Sequence, residues 1–133
     1  MTKQFVLIEA TGDAILVNSD DDTLSTLQSL VDGYIECVTA TKSVLGFDAD
    51  VWVNEEGLYR QDFGINLVAS YMTGRQLVGP AVIAKSTPQG ETVGLTQGNI
   101  ARLINDGLML DEKNGAGGYS VAEVVAMREQ VDA

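Results

Sequence analysis

Short apolar runs rich in β-branched residues recur along the chain, each bounded by glycine or by polar turn residues. Runs of this kind predict β-strands. Five segments have this character: residues 5–9, 14–17, 34–40, 50–54 and 77–85. Residues 10–13, between the first two, predict a tight hairpin turn. Because a proline cannot donate a hydrogen bond within a sheet, Gly79-Pro80 predicts that the fifth strand is bulged or lies at an edge.

Apolar residues with helical spacing predict helices between and after these strands. They cover residues 24–31, residues 64–73, a segment that follows Thr96 and ends at 105–107, and residues 120–130. Asp20, Asp21 and Asp22 precede the first helix, where an aspartate caps the free amides, and Gly33 is expected to end it as a left-handed C-cap. Ser120 and Glu123 have the spacing of a capping box at the start of the last helix.

Together these elements predict an α+β fold in a single domain over residues 1–133. We expect about five mainly antiparallel strands and three or four short helices that pack on one face of the sheet. Residues 41–49 and the glycine-rich residues 111–118 are predicted loops. The expected core comprises Val6, Ile8, Ile15, Leu27, Leu30, Ile35, Cys37, Val51, Val53, Val82 and Ile100.

Alternation along residues 50–54 directs Val51 and Val53 into the core and Trp52 to the outer face of the sheet. The tryptophan is expected beside Tyr34 or Val38 from the neighbouring strand, ringed by Asp50, Glu36 and Asn54. Such an aromatic patch would suit an interface anchor for a partner or for a homodimer. Alternatively, the C-terminal helix covers it, since sheets with both faces covered are common.

Two short motifs stand out, Gly33-Tyr34-Ile35-Glu36 and Asn54-Glu55-Glu56-Gly57. With a short helix before them, Asn66 and the glycine-interrupted strand over residues 78–83, they resemble the shared core of a family of small proteins of unknown function, found mostly in bacteriophages and mobile elements. The resemblance covers roughly residues 5–95 and leaves out the C-terminal helical part, residues 96–133. It implies a fold and a phage-like origin, but no reaction. Leu67 stands where the family usually has an arginine, so an anion contact from that position is not expected.

Charge is spread unevenly along the chain. Residues 1–57 carry 11 acidic and two basic residues, whereas the remainder carries eight acidic and six basic residues. Such an acidic half repels phosphate backbones, so direct nucleic-acid binding is not expected. It favours either a solvated surface or docking on a basic partner protein. The candidate partner-binding residues are Asp20, Asp21, Asp22, Tyr34, Glu36, Asp50, Trp52, Asn54, Glu55 and Glu56.

The chain contains no histidine, which excludes Ser-His-Asp, Cys-His and histidine-zinc sites. The single Cys37 is expected to be a small core hydrophobe rather than a nucleophile, because its strand neighbours are acidic and apolar. Asp48-Ala49-Asp50 begins like a calcium loop but lacks the glycine that an EF-hand requires. We therefore predict no catalytic residue, no metal site and no cofactor, although paired carboxylates leave a magnesium-dependent enzyme open.

The loop over residues 114–120 is the candidate for binding a phosphate-like anion, because glycine amides at a helix start can hold one. It lacks the lysine of a P-loop, and Glu123 would compete for the same amides, so a flexible connector is the alternative. Arginines elsewhere, including Arg102, could add anion contacts. The candidate ligand-binding residues are Arg60, Asn66, Arg75, Gly115, Gly117, Gly118 and Ser120.

Three classes of function remain open from the sequence. The first is a non-enzymatic phage or mobile-element accessory protein that binds a host protein with a basic surface, with a possible counter-defence role and possible homo-oligomerisation. The second is a protein that sequesters a nucleotide, and the third is a carboxylate-based metal-dependent enzyme. The single cysteine and the short N-terminal apolar run favour the host cytoplasm and no membrane association.

Overall fold

The computed structural model describes residues 2–40, 45–115 and 117–131. Part of the predicted loop over residues 41–49, and one residue of the glycine-rich loop, lie outside the described residues. The strands are β1 (Lys3–Ile8), β2 (Ala14–Ser19), β3 (Ile35–Ala40), β4 (Ala49–Asn54), β5 (Ala81–Ser86), β6 (Thr92–Val93), β7 (Leu110–Asp111) and β8 (Tyr119–Ser120). The helices are α1 (Thr23–Val31), α2 (Leu67–Thr73), α3 (Gln97–Asn105) and α4 (Val121–Val131), and a 3₁₀ turn spans Gly57–Tyr59.

All eight strands belong to one sheet with the order β3-β4-β5-β1-β2-β7, in which β6 pairs with β5 and β8 with β2. The five long strands pair antiparallel, as predicted, whereas β7 and β8 run parallel to β2. The α+β class and the single domain are confirmed. The strand count is higher than the predicted five because β6, β7 and β8 have only two residues each, too few to form a sequence pattern.

The prediction that the fifth strand is bulged or lies at an edge is wrong. β5 lies in the middle of the sheet, hydrogen-bonded to β4 on one side and to β1 on the other. The strand begins at Ala81, directly after Gly79-Pro80, so the proline occupies a position where the ladder needs no amide donor. Gly79 has a φ of +75°. The dipeptide therefore turns the chain into β5 instead of interrupting it.

Helices cover both faces of the sheet, so the prediction that they pack on one face is wrong. α2 and α3 pack on the face that includes Val6, Val51 and Ile83. α1 and α4 pack on the face that includes Phe5 and Val82. The cause is visible in the central strands: all residues in the runs 5–8, 14–17 and 81–84 are buried, so both faces of these strands are apolar and need cover.

Most of the predicted core is buried, including Val51 at 0% and Val53 at 4% exposure, which confirms the phase of β4. Cys37 is exposed instead, because among the described residues no strand lies beyond β3 on that side of the sheet. Ile35 is half-buried. The left-handed residue that ends α1 is Asp32, with a φ of 60°, and not Gly33, whose φ of 156° is nearly extended.

Candidate functional site

The two sequence motifs meet at one end of the sheet, where β3 begins and β4 ends. Ile35 pairs with Asn54, and the Glu55 amide donates to the Tyr34 carbonyl at 2.9 Å. The Asn54 side-chain amide donates to the carbonyls of Val31 at 3.1 Å and Asp32 at 3.0 Å. Asn54 is buried, and its amide satisfies the last carbonyls of α1. It therefore joins the helix end to the β3–β4 pair.

The two motif glycines are required by close packing at this junction. A Cβ at Gly33 would lie 2.5 Å from the Asn54 amide nitrogen, and one at Gly57 would lie 3.0 Å from a Val78 methyl group. Gly57 is not among the residues with positive φ in the described chain. Its role is close contact at the start of the 3₁₀ turn.

The remaining motif side chains point to solvent. Tyr34 is 69% exposed, and Glu36, Glu55 and Glu56 are exposed as well. Asp50, on β4, is half-buried and accepts a hydrogen bond from the Ser86 hydroxyl. These five residues lie on the β3–β4 pair or directly beside its ends, with Asp50 at the opposite end of the pair from Glu55 and Glu56, and we call them the acidic edge. The described part of β3 and β4 contains no lysine or arginine.

Trp52 is not the exposed anchor that the strand phase predicted. It pairs with Cys37 on β3 and with Val82 on β5, and it packs half-buried against the cluster formed by α1 and α4. α1 packs against β4 and contributes to this cover, and the C-terminal helix, considered as the alternative, contributes Val124 to the same cluster. The indole nitrogen is buried and has no hydrogen-bond partner among the described residues.

The three consecutive aspartates lie at the opposite end of α1 from Tyr34, Glu55 and Glu56. Asp22 caps the helix start by accepting the Ser25 amide at 3.2 Å, and the Ser25 side chain, followed by this amide, lowers the pKa of the Asp22 carboxyl. Asp20 accepts a hydrogen bond from the Thr2 hydroxyl. A nine-residue helix is roughly 14 Å long, which separates these aspartates from Glu55 and Glu56 beyond its other end.

Two of the candidate ligand-binding residues are occupied by internal contacts. Arg60 donates to the carboxylates of Asp32 at 3.0 Å and Asp62 at 2.7 Å, and its guanidinium stacks 4.2 Å from the Phe63 ring centre. Asp62, and after it Asp32, raise the pKa of Arg60. Asn66 is fully buried and caps α2, accepting the Ala69 amide while donating to the carbonyls of Ile8 and Gly79.

The glycine-rich loop lies beside β2, at the other side of the sheet. The predicted capping box is present: Glu123 accepts the Ser120 amide at 3.0 Å, and the Ser120 hydroxyl accepts the Glu123 amide at 3.1 Å. Lys113 lies 2.5 Å from Glu123. Lys113 first, and then the Ser120 amide, lower the pKa of Glu123 to about 2. A carboxylate thus occupies the amide that a bound anion would use.

The structure does not bring the candidate ligand-binding residues together. Arg60 contacts Asp32 near the start of β3, whereas Gly117 accepts a hydrogen bond from Asn18 on β2. Four strand spacings separate β2 from β3, which is roughly 19 Å. Arg75 follows α2 and is exposed. Gly115 is exposed and Gly118 is buried against β2.

Arg128 was not among the residues predicted from the sequence to form a site. Its guanidinium donates to the Glu9 carboxylate at 2.7 Å and to the Leu30 carbonyl at 2.6 Å. This residue ties α4 to α1 and β1, and no local pattern indicates it. In the described ranges, no group of three or more cysteine, aspartate or glutamate side chains is placed to hold a metal ion. The described helices also include none that is long and apolar enough to cross a membrane.

The chain belongs to the family described as a domain of unknown function (DUF3846), whose model matches residues 1–107. No curated protein matches the sequence. Among solved structures, it is similar to the crystal structure of small RNA methyltransferase HEN1, with a TM-score of 0.57 and 14% sequence identity. The match covers 78% of this chain but 16% of the methyltransferase chain. At this identity the likeness shows a shared fold alone.

Proposed function

We propose that this chain is a non-enzymatic accessory protein that binds a basic surface of a partner protein through the acidic edge. The observation that carries the proposal is that the two motifs contain two kinds of residue, those that pack inside the junction and those whose side chains are exposed. Gly33, Asn54 and Gly57 are used to build the junction, whereas the side chains left in solvent are a tyrosine and three glutamates. Side chains free of structural contacts on a rigid strand pair are available for recognition.

The charge of the surrounding surface supports a basic partner. Residues 1–57 carry nine net negative charges, and the acidic edge lies within them. Tyr34, Leu58 and Tyr59 add exposed apolar area next to these charges, at 69%, 76% and 86% exposure. Aromatic side chains surrounded by charge are typical of the anchor residues of protein interfaces.

The proposal includes an origin in a bacteriophage or mobile element, with a host protein as the partner in the host cytoplasm. Binding is proposed to modulate the activity of this host protein. A counter-defence role is one form of such modulation. The support is the motif resemblance together with membership of a family without an assigned reaction.

Charge reversal tests the proposal. We expect the triple variant Glu36→Lys, Glu55→Lys, Glu56→Lys to capture its partner from a host lysate at least tenfold less well than the unmodified chain. We also expect capture by the unmodified chain to weaken steeply with salt, because exposed charges are screened over about 8 Å at physiological ionic strength. Quantitative mass spectrometry of the captured proteins gives the measurement.

The matched control is Asp20→Lys with Asp21→Lys, which reverses two exposed acids at the other end of α1. Asp22 is left unchanged because it caps the helix. The control is expected to retain the partner. Equal capture by the triple variant and the unmodified chain would show that the acidic edge is only a solvated surface.

A further inference from the structure

The hydrogen-bond phase of β3 can be read from a single contact. The Glu55 amide donates to the Tyr34 carbonyl, and Tyr34 stands opposite Glu55 in the antiparallel register. Opposed residues in an antiparallel pair alternate between those that exchange hydrogen bonds and those that do not. Glu36, Val38 and Ala40 therefore bond to β4. The main-chain groups of the other three residues, Ile35, Cys37 and Thr39, point away from β4.

These outward groups form an open sheet edge. Within the described residues, none of the amides or carbonyls of Ile35, Cys37 and Thr39 has a hydrogen-bond partner on the outer side. The strand also lacks the lysine or proline that commonly blocks pairing at an edge. An unblocked row of three donors and three acceptors is a template for another strand.

We propose that β3 is the docking edge for an extended segment of the partner protein, which adds to the sheet as a further strand and carries lysine or arginine on both of its faces. The inference rests on the proposed function and gives it a binding mode. Main-chain hydrogen bonds to Ile35, Cys37 and Thr39 supply the register, and side-chain charge selects the segment.

The charges beside β3 favour a basic segment on both faces of the sheet. Glu36 pairs with Val53, whose side chain packs on the α2 face, so Glu36 lies on that face. Asp50 stands opposite Thr39 and next to Ala84, on the α1 face. Glu36 and Asp50 are three register positions apart, so a segment with basic residues three positions apart would have one carboxylate on each face. Glu55 and Glu56 add further charge at the Glu36 end of the strand pair.

A second copy of this chain is a poorer occupant of the same edge. Antiparallel pairing of two β3 strands about Cys37 would bring together two strand pairs that contain acids but no lysine or arginine. Like charges across a strand pair are destabilising. This arrangement would also place the two Cys37 residues directly opposite each other, so it makes a distinct prediction: oxidation would give a dimer linked through Cys37.

The direct test is amide hydrogen exchange, measured by NMR on the full chain, with a synthetic nine-residue peptide in which pairs of successive lysines are separated by valine or threonine, so that both faces of the strand carry lysine. We expect 1 mM peptide to slow exchange at Ile35, Cys37 and Thr39 at least tenfold, while Glu36 and Val38 are already protected. The same peptide with glutamate in place of lysine should give no protection. Absence of protection at these three amides with the lysine peptide would overturn the inference.

A proline scan separates main-chain pairing from side-chain contact. Cys37→Pro removes one outward amide but no β3–β4 hydrogen bond, so it should weaken peptide binding at least tenfold. Cys37→Ala keeps the amide and should bind like the unmodified chain. If Cys37→Pro fails to fold, Thr39→Pro takes its place, and the protection measurement on the unmodified chain stands independently of both.

The outcomes distinguish the binding mode from the function. If the triple glutamate variant loses its partner but neither the partner nor the peptide protects β3, the proposed function holds and the docking edge is wrong. If the triple variant keeps its partner, the proposed function fails. A Cys37-linked dimer under oxidation, with loss of peptide protection on dimerisation, would show that a second copy occupies the edge.

Discussion

The two edges of the sheet differ in whether further strands pair with them. On the β2 side, β7 and β8 pair with residues 14–15 and 17–18, and the Asn18 side chain donates to the Gly117 carbonyl. On the β3 side, the described chain adds no further strand. The closing elements β7, β8 and α4 all follow residue 107, where the family match ends.

The two edges also differ in how they relate to the family match. The open edge and both motifs lie within the matched residues, whereas the β2 edge is closed by the C-terminal segment of this chain. A sheet edge that is left open carries a risk of unwanted pairing, which the glutamates of the acidic edge reduce by repelling other acidic chains. The contrast supports a structural role for the β2 edge and a binding role for the β3 edge.

The largest effect is expected from disturbing the closed edge. Gly118 has a φ of +106°, and a Cβ there would lie 2.9 Å from the Leu16 carbonyl oxygen. Gly118→Ala should therefore lower the free energy of unfolding by about 3 kcal/mol, from backbone strain and the clash together. Gly115→Ala is the control, because its Cβ would meet nothing within 4 Å, and it should cost about 1 kcal/mol. Urea unfolding measures both, and equal losses would contradict a tightly packed β2 edge.

At the open edge, the reactivity of Cys37 reports on the local electrostatics. Desolvation of the sulfur, and then the nearby Asp50 carboxylate, raise the pKa of the Cys37 thiol to about 11. Alkylation by iodoacetamide at pH 8 should therefore be on the order of 100-fold slower than for free cysteine, although the residue is exposed. Asp50→Asn should speed the alkylation, because it removes the carboxylate charge that raises the thiol pKa but leaves the desolvation of the sulfur unchanged. A rate equal to that of free cysteine would contradict this environment.

A smaller effect concerns the pH dependence of the closed edge. The Lys113 contact and the Ser120 amide lower the pKa of Glu123 to about 2, below its unfolded value. The ionised Glu123 carboxylate therefore stabilises the folded chain fully above pH 4.5, and this contribution is lost as the pH falls towards 2. NMR titration of the Glu123 carboxyl should give a midpoint near 2, and Lys113→Met should raise it. A midpoint of 4.5 in the unmodified chain would show that the contact is absent in solution.

Local signals in the sequence were sufficient for several parts of the fold. The hairpin of β1 and β2, the Asp22 cap and the Ser120–Glu123 capping box all depend on residues close together in the chain. The capping box at Thr96 and Asn99 is equally local. Such features are predictable because one short segment contains all the groups that form them.

Features that depend on distant residues were not predictable in the same way. The sequence gives no direct sign that Gly33 packs against Asn54, or that Arg128 reaches Glu9. The cover on both faces of the sheet was indicated by fully apolar runs such as residues 81–84, but the Gly79-Pro80 dipeptide suggested an edge strand instead. Arg60 could be recognised as a candidate anion ligand, but not as one already held by two aspartates.

The central claim is that β3 is an open edge with a defined hydrogen-bond phase, and amide hydrogen exchange in the free chain tests it most directly. We predict fast exchange at Ile35, Cys37 and Thr39 and slow exchange at Glu36 and Val38, because only the latter two donate to β4. Residues of the central strand β5 should be protected throughout. Uniform protection at all five of these amides would mean that the edge is already covered, and would contradict the account.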